Sequence, residues 1–432
     1  MVTELTAGMH ASHRLAAARW FGRDDESSPW STNQAGLDLP FQRWFRFKEA
    51  FAPRAVVDAI SGLPRLPDTC TDPFGGSGTT ALTCQFLGIR PTTIEVNPFL
   101  ADLIEAKLTR YDLPALLADY RAVVDAAAAP GPDPARAGLP PTFVEPGVGG
   151  RWIFGRAVAG RIVVLRDAID ALANPANARL LRILLGSCLI GCSNVVVSGK
   201  GRRYRSGWQA RPVPPRNVGL AFEAAFLCAV DDICRYGDRP CPDFTVLRGD
   251  ARKVVGESGP ADFALFSPPY PNSFDYTDVY NVELWMLGYL KDKAGNRSLR
   301  EGTLRSHVQV KRPYHSEAAS PLLEETVGRL ADRRGALWDA DIPEMVSAYF
   351  CDLGTVLGGL HGNMQPGAAA MMVVGDSSYA GIMVDVGAIA AEVAASQGFR
   401  LHSLMPVRSM RASPQQGGRA ELGETLVHLT RE

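Results

Sequence analysis

The spacing of apolar and polar positions predicts strands alternating with helices at both ends of the chain and helices alone in the middle. Asp68-Thr-Cys-Thr71 is short and rich in β-branched residues and predicts a strand, and Ala81 to Leu87 predicts the helix that follows. Pro91-Thr-Thr-Ile-Glu-Val96 predicts a second strand, and alanine-rich Leu100 to about Ala128 a second helix, broken by Pro130-Gly-Pro-Asp-Pro134. From there to about residue 240 the alternation stops. Arg179 to Gly186 and Leu220 to Val230 predict amphipathic or buried helices. Strand signals return at Phe244 to Ala251, Asp262 to Ser267 and Ala368 to Gly375, while Phe399 to Leu404 and Glu424 to Leu429 predict a closing pair at the sheet edge. The expected fold class is α/β: a mostly parallel sheet of seven strands with an antiparallel edge strand and a large, mainly helical insert.

A chain of 432 residues has room for one large elaborated domain or two ordinary ones. Hydrophobic residues make up 46% and charged residues 21%, proportions that support a full core. The net charge of −1 exerts no global pull on polyanions, so a nucleic-acid surface has to be a local patch. One such patch lies between the middle helices. Residues 199 to 216 carry Lys200, Arg202, Arg203, Arg205, Arg211 and Arg216 without an acid, with Tyr204 and Trp208 interleaved. Cations neutralise phosphates and aromatic faces stack on bases. Lys200, Arg202, Arg203, Tyr204, Arg205 and Trp208 are therefore candidate nucleic-acid contacts, a solvated loop being the alternative. A second stretch, Lys291 to Arg312, holds seven Lys or Arg against two acids and reads either as a flap over a target strand or as a solvated linker.

The first 35 or so residues are polar and mixed, with Ser27 to Gln34 reading as loop, and they lack the apolar core of a signal peptide. No apolar run approaches the roughly 18–20 residues that span a bilayer, so a cytoplasmic location is expected. The eight cysteines form no CxxC pair, which argues against a zinc ribbon or a redox motif. Cys188 and Cys192 are expected as buried thiols; Cys228, Cys234 and Cys241 are spaced too irregularly for a metal, and no metal is expected.

Chemistry concentrates at two loops. Asp72-Pro-Phe-Gly-Gly-Ser-Gly-Thr-Thr80 joins the first strand to its helix, the place where an α/β sheet holds nucleotide-like ligands. Glycines 75, 76 and 78 let a ligand approach the backbone, and the helix start leaves amides free for polar ligand atoms. Glu95 closes the second strand about twenty residues beyond the glycines, the position of a ribose-hydroxyl ligand in such folds. The second loop is Ser267-Pro-Pro-Tyr270, where an apolar strand stops.

Together the two loops resemble those of the S-adenosylmethionine-dependent amino-methyltransferases of DNA, whose marks are a DPFxGSGTT cofactor loop and a D/N/S-P-P-Y catalytic loop. The resemblance covers roughly residues 40–110 and 243–430. It implies a Rossmann-like methyltransferase sheet and S-adenosyl-L-methionine as cofactor. It also implies a double-stranded DNA partner whose target base is flipped out, and it leaves room for a cognate restriction or defence partner. The implied cofactor residues are Asp72, Pro73, Phe74, Gly75, Gly76, Ser77, Gly78, Thr79, Glu95, Asn97, Asp250 and Ala251, with Asp250 holding the adenine amino group. The implied organisation is a polar segment 1–40, a cofactor part 41–110, an insert 111–242 as target-recognition region, and a catalytic part 243–432. Phe41 to Lys48 and the helix predicted at Arg54 to Ile60 stand where the family closes over the methionine end of the cofactor; packing against the sheet is the alternative.

The catalytic loop suits an exocyclic amine, a poor nucleophile whose lone pair is delocalised into the ring. Ser267 can accept one amine proton and the Pro268 carbonyl the other, while Pro268 and Pro269 hold the loop rigid. Tyr270 is placed to stack on the flipped base. In the family a serine here leans toward cytosine-N4 and an aspartate toward adenine-N6, so cytosine-N4 is favoured; Asp275 is near enough in sequence to supply a carboxylate instead. Pro240-Cys241 is not at a catalytic strand end, which argues against carbon-5 methylation. The rival readings are a tRNA guanine-N2 methyltransferase, a non-catalytic DNA-binding subunit and, last, a nicotinamide oxidoreductase, for which the glycine spacing is wrong.

Overall fold

Seven strands whose sequences alternate or run continuously apolar assemble into one sheet, and two hairpins stand apart from it. In chain order the strands are β1 (Thr69–Asp72), β2 (Arg90–Glu95), β3 (Val195–Ser198), β4 (Gly201–Tyr204), β5 (Thr245–Arg248), β6 (Ala261–Phe266), β7 (Met364–Gly375), β8 (Ser377–Tyr379), β9 (Ile382–Val384), β10 (Phe399–Arg411) and β11 (Glu421–Arg431). The computed structural model describes all residues except 23–35, 48, 129–137, 199–200, 315–319 and 412–420. The loop expected at Ser27 to Gln34, the breaker Pro130 to Pro134 and the candidate contact Lys200 lie outside the described residues.

The sheet order is β10-β11-β7-β6-β1-β2-β5. Strands β5, β2, β1, β6 and β7 are parallel, and β11 pairs antiparallel with both β7 and β10. This is the mostly parallel, Rossmann-like methyltransferase sheet that the two loops implied. The strand order reverses between β1 and β6, and a crevice opens there at their carboxyl ends, the binding position of open α/β sheets. Both loops singled out above leave those two ends.

Helices cover both faces. One face carries Ile342–Asn363 and Val386–Ser396, which bury Val356, Leu357, Ile389 and Ala390 against Ile94, Phe266 and Met372. The other carries Thr79–Phe86 and Pro98–Leu108. The insert helices Leu113–Ala126, Arg156–Asp170, Pro175–Cys188 and Arg216–Arg235 share a single apolar cluster with this face. Asn97 and Asn174 cap their helices through side-chain oxygens with proline in the first turn, a start signal written in the sequence.

The N-terminal segment departs from its polar reading. Helix Ala11–Phe21 has little amphipathic pattern, yet it buries Trp20 completely. That indole stacks on Phe86 at 4.5 Å, and its N–H donates to the Pro40 carbonyl at 3.0 Å. One aromatic residue with a satisfied polar tip anchors the helix where periodicity gave no signal. Among the described residues no helix is long and apolar enough to cross a membrane.

Candidate active site

The glycine loop is shaped by close approach of backbone to side chains. The Phe74 N–H donates to Asp72 Oδ1 at 2.9 Å, turning the chain as it leaves β1. The Gly75 N–H donates across to the Ile94 carbonyl at 2.9 Å, and a Cβ there would lie 2.3 Å from Thr93 Oγ1, so only glycine fits. Gly76 and Gly78 have φ of 52° and 78°, and the helix from Thr79 starts from this left-handed turn. Glu95 ties the loop to β2: Oε2 accepts from the Gly76 N–H at 2.7 Å and Oε1 from the Asn97 N–H at 2.8 Å. Burial pushes the carboxyls of Asp72 and Glu95 up to about 7 each.

Beneath the loop lies Lys107, fully buried, whose Nζ donates to the Ser77 carbonyl at 2.6 Å and to Gln42 Oε1 at 2.8 Å. Burial lowers this ammonium to about 7. Asp250, at the end of β5, caps the short helix Ala251–Val254 and pairs with Arg252 at 2.8 and 2.7 Å. Arg252 in turn reaches Asp352 at 3.0 Å.

The loop Ser267 to Tyr270 leaves β6 beside β7. The Ser267 hydroxyl donates to the Val373 carbonyl at 2.9 Å and lies 3.4 Å from the Tyr270 oxygen. The Tyr270 hydroxyl donates to Glu424 Oε1 at 3.2 Å, and Arg408 Nε donates to Glu424 Oε2 at 2.7 Å. One cavity of about 500 Å³ is lined by all four residues of Ser267 to Tyr270 and by every cofactor candidate except Gly78, which only ends the turn.

Two further segments wall this cavity. The stretch from Phe41 divides in function. Phe41, Arg43 and Trp44 are tied to buried Asp232 of the insert, by the Phe41 N–H at 2.9 Å, the Trp44 indole at 2.9 Å and Arg43 Nη2 at 2.6 Å. Phe47, Glu49 and Phe51 line the cavity, with Phe47 stacked on Tyr280 at 5.3 Å and the Tyr280 hydroxyl on Glu49 at 2.6 Å. The stretch therefore packs onto the insert at its start and lines the cavity at its end. Gly302, Thr303, Leu304, Ser306 and His307 supply the other wall. The arginines around them point their charge inward: Arg300 pairs with Asp275 at 2.5 Å, Arg305 with Asp352 at 2.7 Å, and Arg312 with the Thr303 carbonyl at 2.8 Å. The second basic stretch thus divides: Arg300, Arg305 and Arg312 are pinned at the wall, while Lys291, Lys293, Arg297 and Lys311 are exposed.

Over 454 aligned residues the chain is 25% identical to the type II methyltransferase M.BsoBI of Geobacillus stearothermophilus, covering 91% of this chain and 86% of that protein. Over 432 residues it is 24% identical to the type II methyltransferase M.AvaI of Nostoc sp., covering 89% and 84%. Its homologues are type II methyltransferases. No family model matches the chain. Among solved structures, TrmN from Thermus thermophilus aligns with 88% of this chain and 48% of that chain at 12% identity, with a TM-score of 0.27.

The cavity suits the methyl donor that methyltransferase homologues imply. It has the size of a small-molecule site. Asp72, Glu95 and Asp250 line it from three strand ends, and Ile94, Val96, Ala251 and Leu304 add apolar surface. Asp275, the alternative acceptor, does not line the cavity; its oxygens take Thr277 N–H at 3.0 Å, Thr277 Oγ1 at 2.6 Å and Arg300.

Of the candidate nucleic-acid contacts, Arg202, Arg203 and Tyr204 lie on the β3–β4 hairpin, which packs against helix Tyr276–Val279 just after the catalytic loop. Arg203 is exposed and Arg202 lies 3.6 Å from Asp278. Tyr204 and Trp208 sit 5.1 Å apart, and Trp208 meets Trp152 edge-on at 4.8 Å. Arg205 is different: its guanidinium donates to the carbonyls of Ser193 at 3.0 Å and Ile190 at 2.8 Å, so it braces the hairpin. Sequence reasoning missed Glu424, Arg408, Lys107 and Trp152. Glu424 left one trace, an acid at the start of the strand predicted at Glu424 to Leu429.

Proposed function

We propose that the protein is a site-specific DNA methyltransferase that moves a methyl group from S-adenosyl-L-methionine to the exocyclic amine of a flipped base, cytosine-N4 being the favoured target. The observation that carries the reading is one cavity in which the glycine loop of β1 meets Ser267 to Tyr270 of β6. The cofactor supplies an electrophilic methyl on a sulfonium. Glu95 takes the ribose hydroxyls, Asp250, braced by Arg252, takes the adenine amino group, and the backbone of Gly75 to Ser77 seats the methionine end. The Ser267 proton is directed to Val373, which leaves its oxygen to accept from the target amine, and the Pro268 carbonyl accepts the second amine proton. Holding both N–H bonds turns the nitrogen lone pair toward the methyl and stabilises the developing positive charge. Tyr270 offers its ring face to the base.

Adenine-N6 methylation would fit a carboxylate at the head of the tetrad better than a hydroxyl, and Asp275 is engaged outside the cavity. The type II relatives support a place in restriction–modification, with a nuclease of the same recognition sequence as partner. Nucleoside mass spectrometry on unmethylated DNA and bulk tRNA, each incubated with enzyme and cofactor, tests the reading. N4-methylcytosine in DNA is the expected product. N6-methyladenine would overturn the choice of base, and a mark confined to tRNA would overturn the DNA reading.

A further inference from the structure

We propose that Glu424, clamped by Arg408, is a positioning residue that takes the Tyr270 proton and so keeps the Ser267 oxygen an acceptor for the target amine. The inference rests on the methyl-transfer reading above. Ser267 Oγ and Tyr270 Oη are 3.4 Å apart with the serine as donor, a direction that holds only while the phenolic proton points elsewhere. Were Tyr270 to donate, the serine oxygen would spend a lone pair where the amine has to be received. An ionised carboxylate only accepts, so Glu424 Oε1, 3.2 Å from Tyr270 Oη, draws the phenolic proton away from Ser267. The serine proton has its own acceptor, the Val373 carbonyl at 2.9 Å. Both protons are thereby drawn off the catalytic oxygen.

The sheet supplies this arrangement from three adjacent strands. Val373 is on β7, Glu424 on β11 and Arg408 on β10, with Arg408 directly opposite Glu424 in the antiparallel ladder. Arg408 holds both carboxylate oxygens, Nε to Oε2 at 2.7 Å and Nη2 to Oε1 at 3.2 Å, and Glu424 is 3% exposed. A buried, charge-assisted pair of this kind keeps its geometry where a free side chain would wander. Arg408, Tyr270 and Glu424 all line the cavity that also holds the cofactor loop.

The test is a double-mutant cycle read in single-turnover methyl transfer, with cofactor affinity measured alongside. In Glu424→Gln the amide oxygen goes to Arg408, so its N–H₂ turns to Tyr270 and sends the phenolic proton to Ser267. The rate is expected to fall about tenfold or more with cofactor affinity nearly unchanged. Tyr270→Phe keeps the ring and removes the hydroxyl; in that background Glu424→Gln is expected to cost less than about twofold. An equal loss in both backgrounds, or no loss in the first, overturns the proposal. Should Glu424→Gln fail to fold, Glu424→Asp, which keeps a charge for Arg408 but withdraws from Tyr270, enters the same cycle with the same criteria. Wild-type enzyme without any turnover on DNA would remove the methyl-transfer reading and this proposal with it; turnover with an additive loss removes the proposal alone.

Discussion

Burial sets the charge state of the two acids that flank the glycine turn. Asp72 and Glu95 are both raised to about 7, above their ordinary values near 4. A carboxyl raised on folding contributes stability that is fully present below about pH 4 and lost as pH rises through about 7. Ligand binding runs the other way, because a carboxyl has to ionise to accept hydroxyl protons with both oxygens. Cofactor affinity is therefore expected to strengthen from pH 6 to pH 8, by up to about tenfold per unit below the pKa. Glu95→Gln should flatten that profile in calorimetric titrations, and an unchanged slope would take Glu95 out of the ligand set. At the catalytic loop, Ser267→Ala should leave cofactor affinity intact and lower turnover by about 100-fold, the scale of losing one preorganised partner. Turnover within a few-fold of wild type would remove Ser267 from the chemistry.

The β3–β4 hairpin shows how an element sorts residues that sequence places in one class. Arg202 and Arg203 are carried on β4 beside the catalytic loop, whereas Arg205 is spent on backbone carbonyls. Replacing Arg202 and Arg203 with Ala should weaken DNA binding and reduce the salt dependence of log K by about 0.9 for each phosphate left without its cation. An unaltered slope would return the hairpin to solvent. Arg205→Ala should instead lower the melting temperature. The same sorting explains Lys291 to Arg312, where a charge count cannot distinguish a solvated surface from arginines paired inward with Asp275 and Asp352.

At the scale of the whole molecule, Asp232 adds a polar tie between the insert and the segment before β1, beside the apolar cluster they share. This fully buried carboxylate receives the Phe41 N–H, the Trp44 indole and Arg43. Phe47 and Glu49, a few residues on, wall the cavity, so the insert helix Arg216–Arg235 reaches the site through one acid. Asp232→Ala takes the acceptor from the Phe41 N–H and the Trp44 indole and leaves Arg43 only Asp231, and should cost about 3–5 kcal/mol, read by chemical denaturation. A loss below about 1 kcal/mol would show that the apolar cluster and the pairs of Arg179 with Asp102 and Glu105 join the two parts without it.

The α/β class, the seven strands and the two loops were legible in the sequence because their determinants are local. A period-2 apolar run makes a strand, and glycines or prolines dictate loop geometry within a few residues. Helix Ala11–Phe21 escaped because its burial depends on Trp20 finding Phe86, a contact without local periodicity. Tertiary structure alone brought Asp72, Glu95, Asp250 and Ser267 to one crevice, by reversing the strand order between β1 and β6. It alone decided which acids are free to meet a ligand. Asp275, five residues after Tyr270, is consumed by Thr277 and Arg300, while Glu424, 154 residues away, reaches the Tyr270 hydroxyl. Hydrogen bonds and ion pairs act over a few ångströms of space, and proximity along the chain does not determine proximity in the fold.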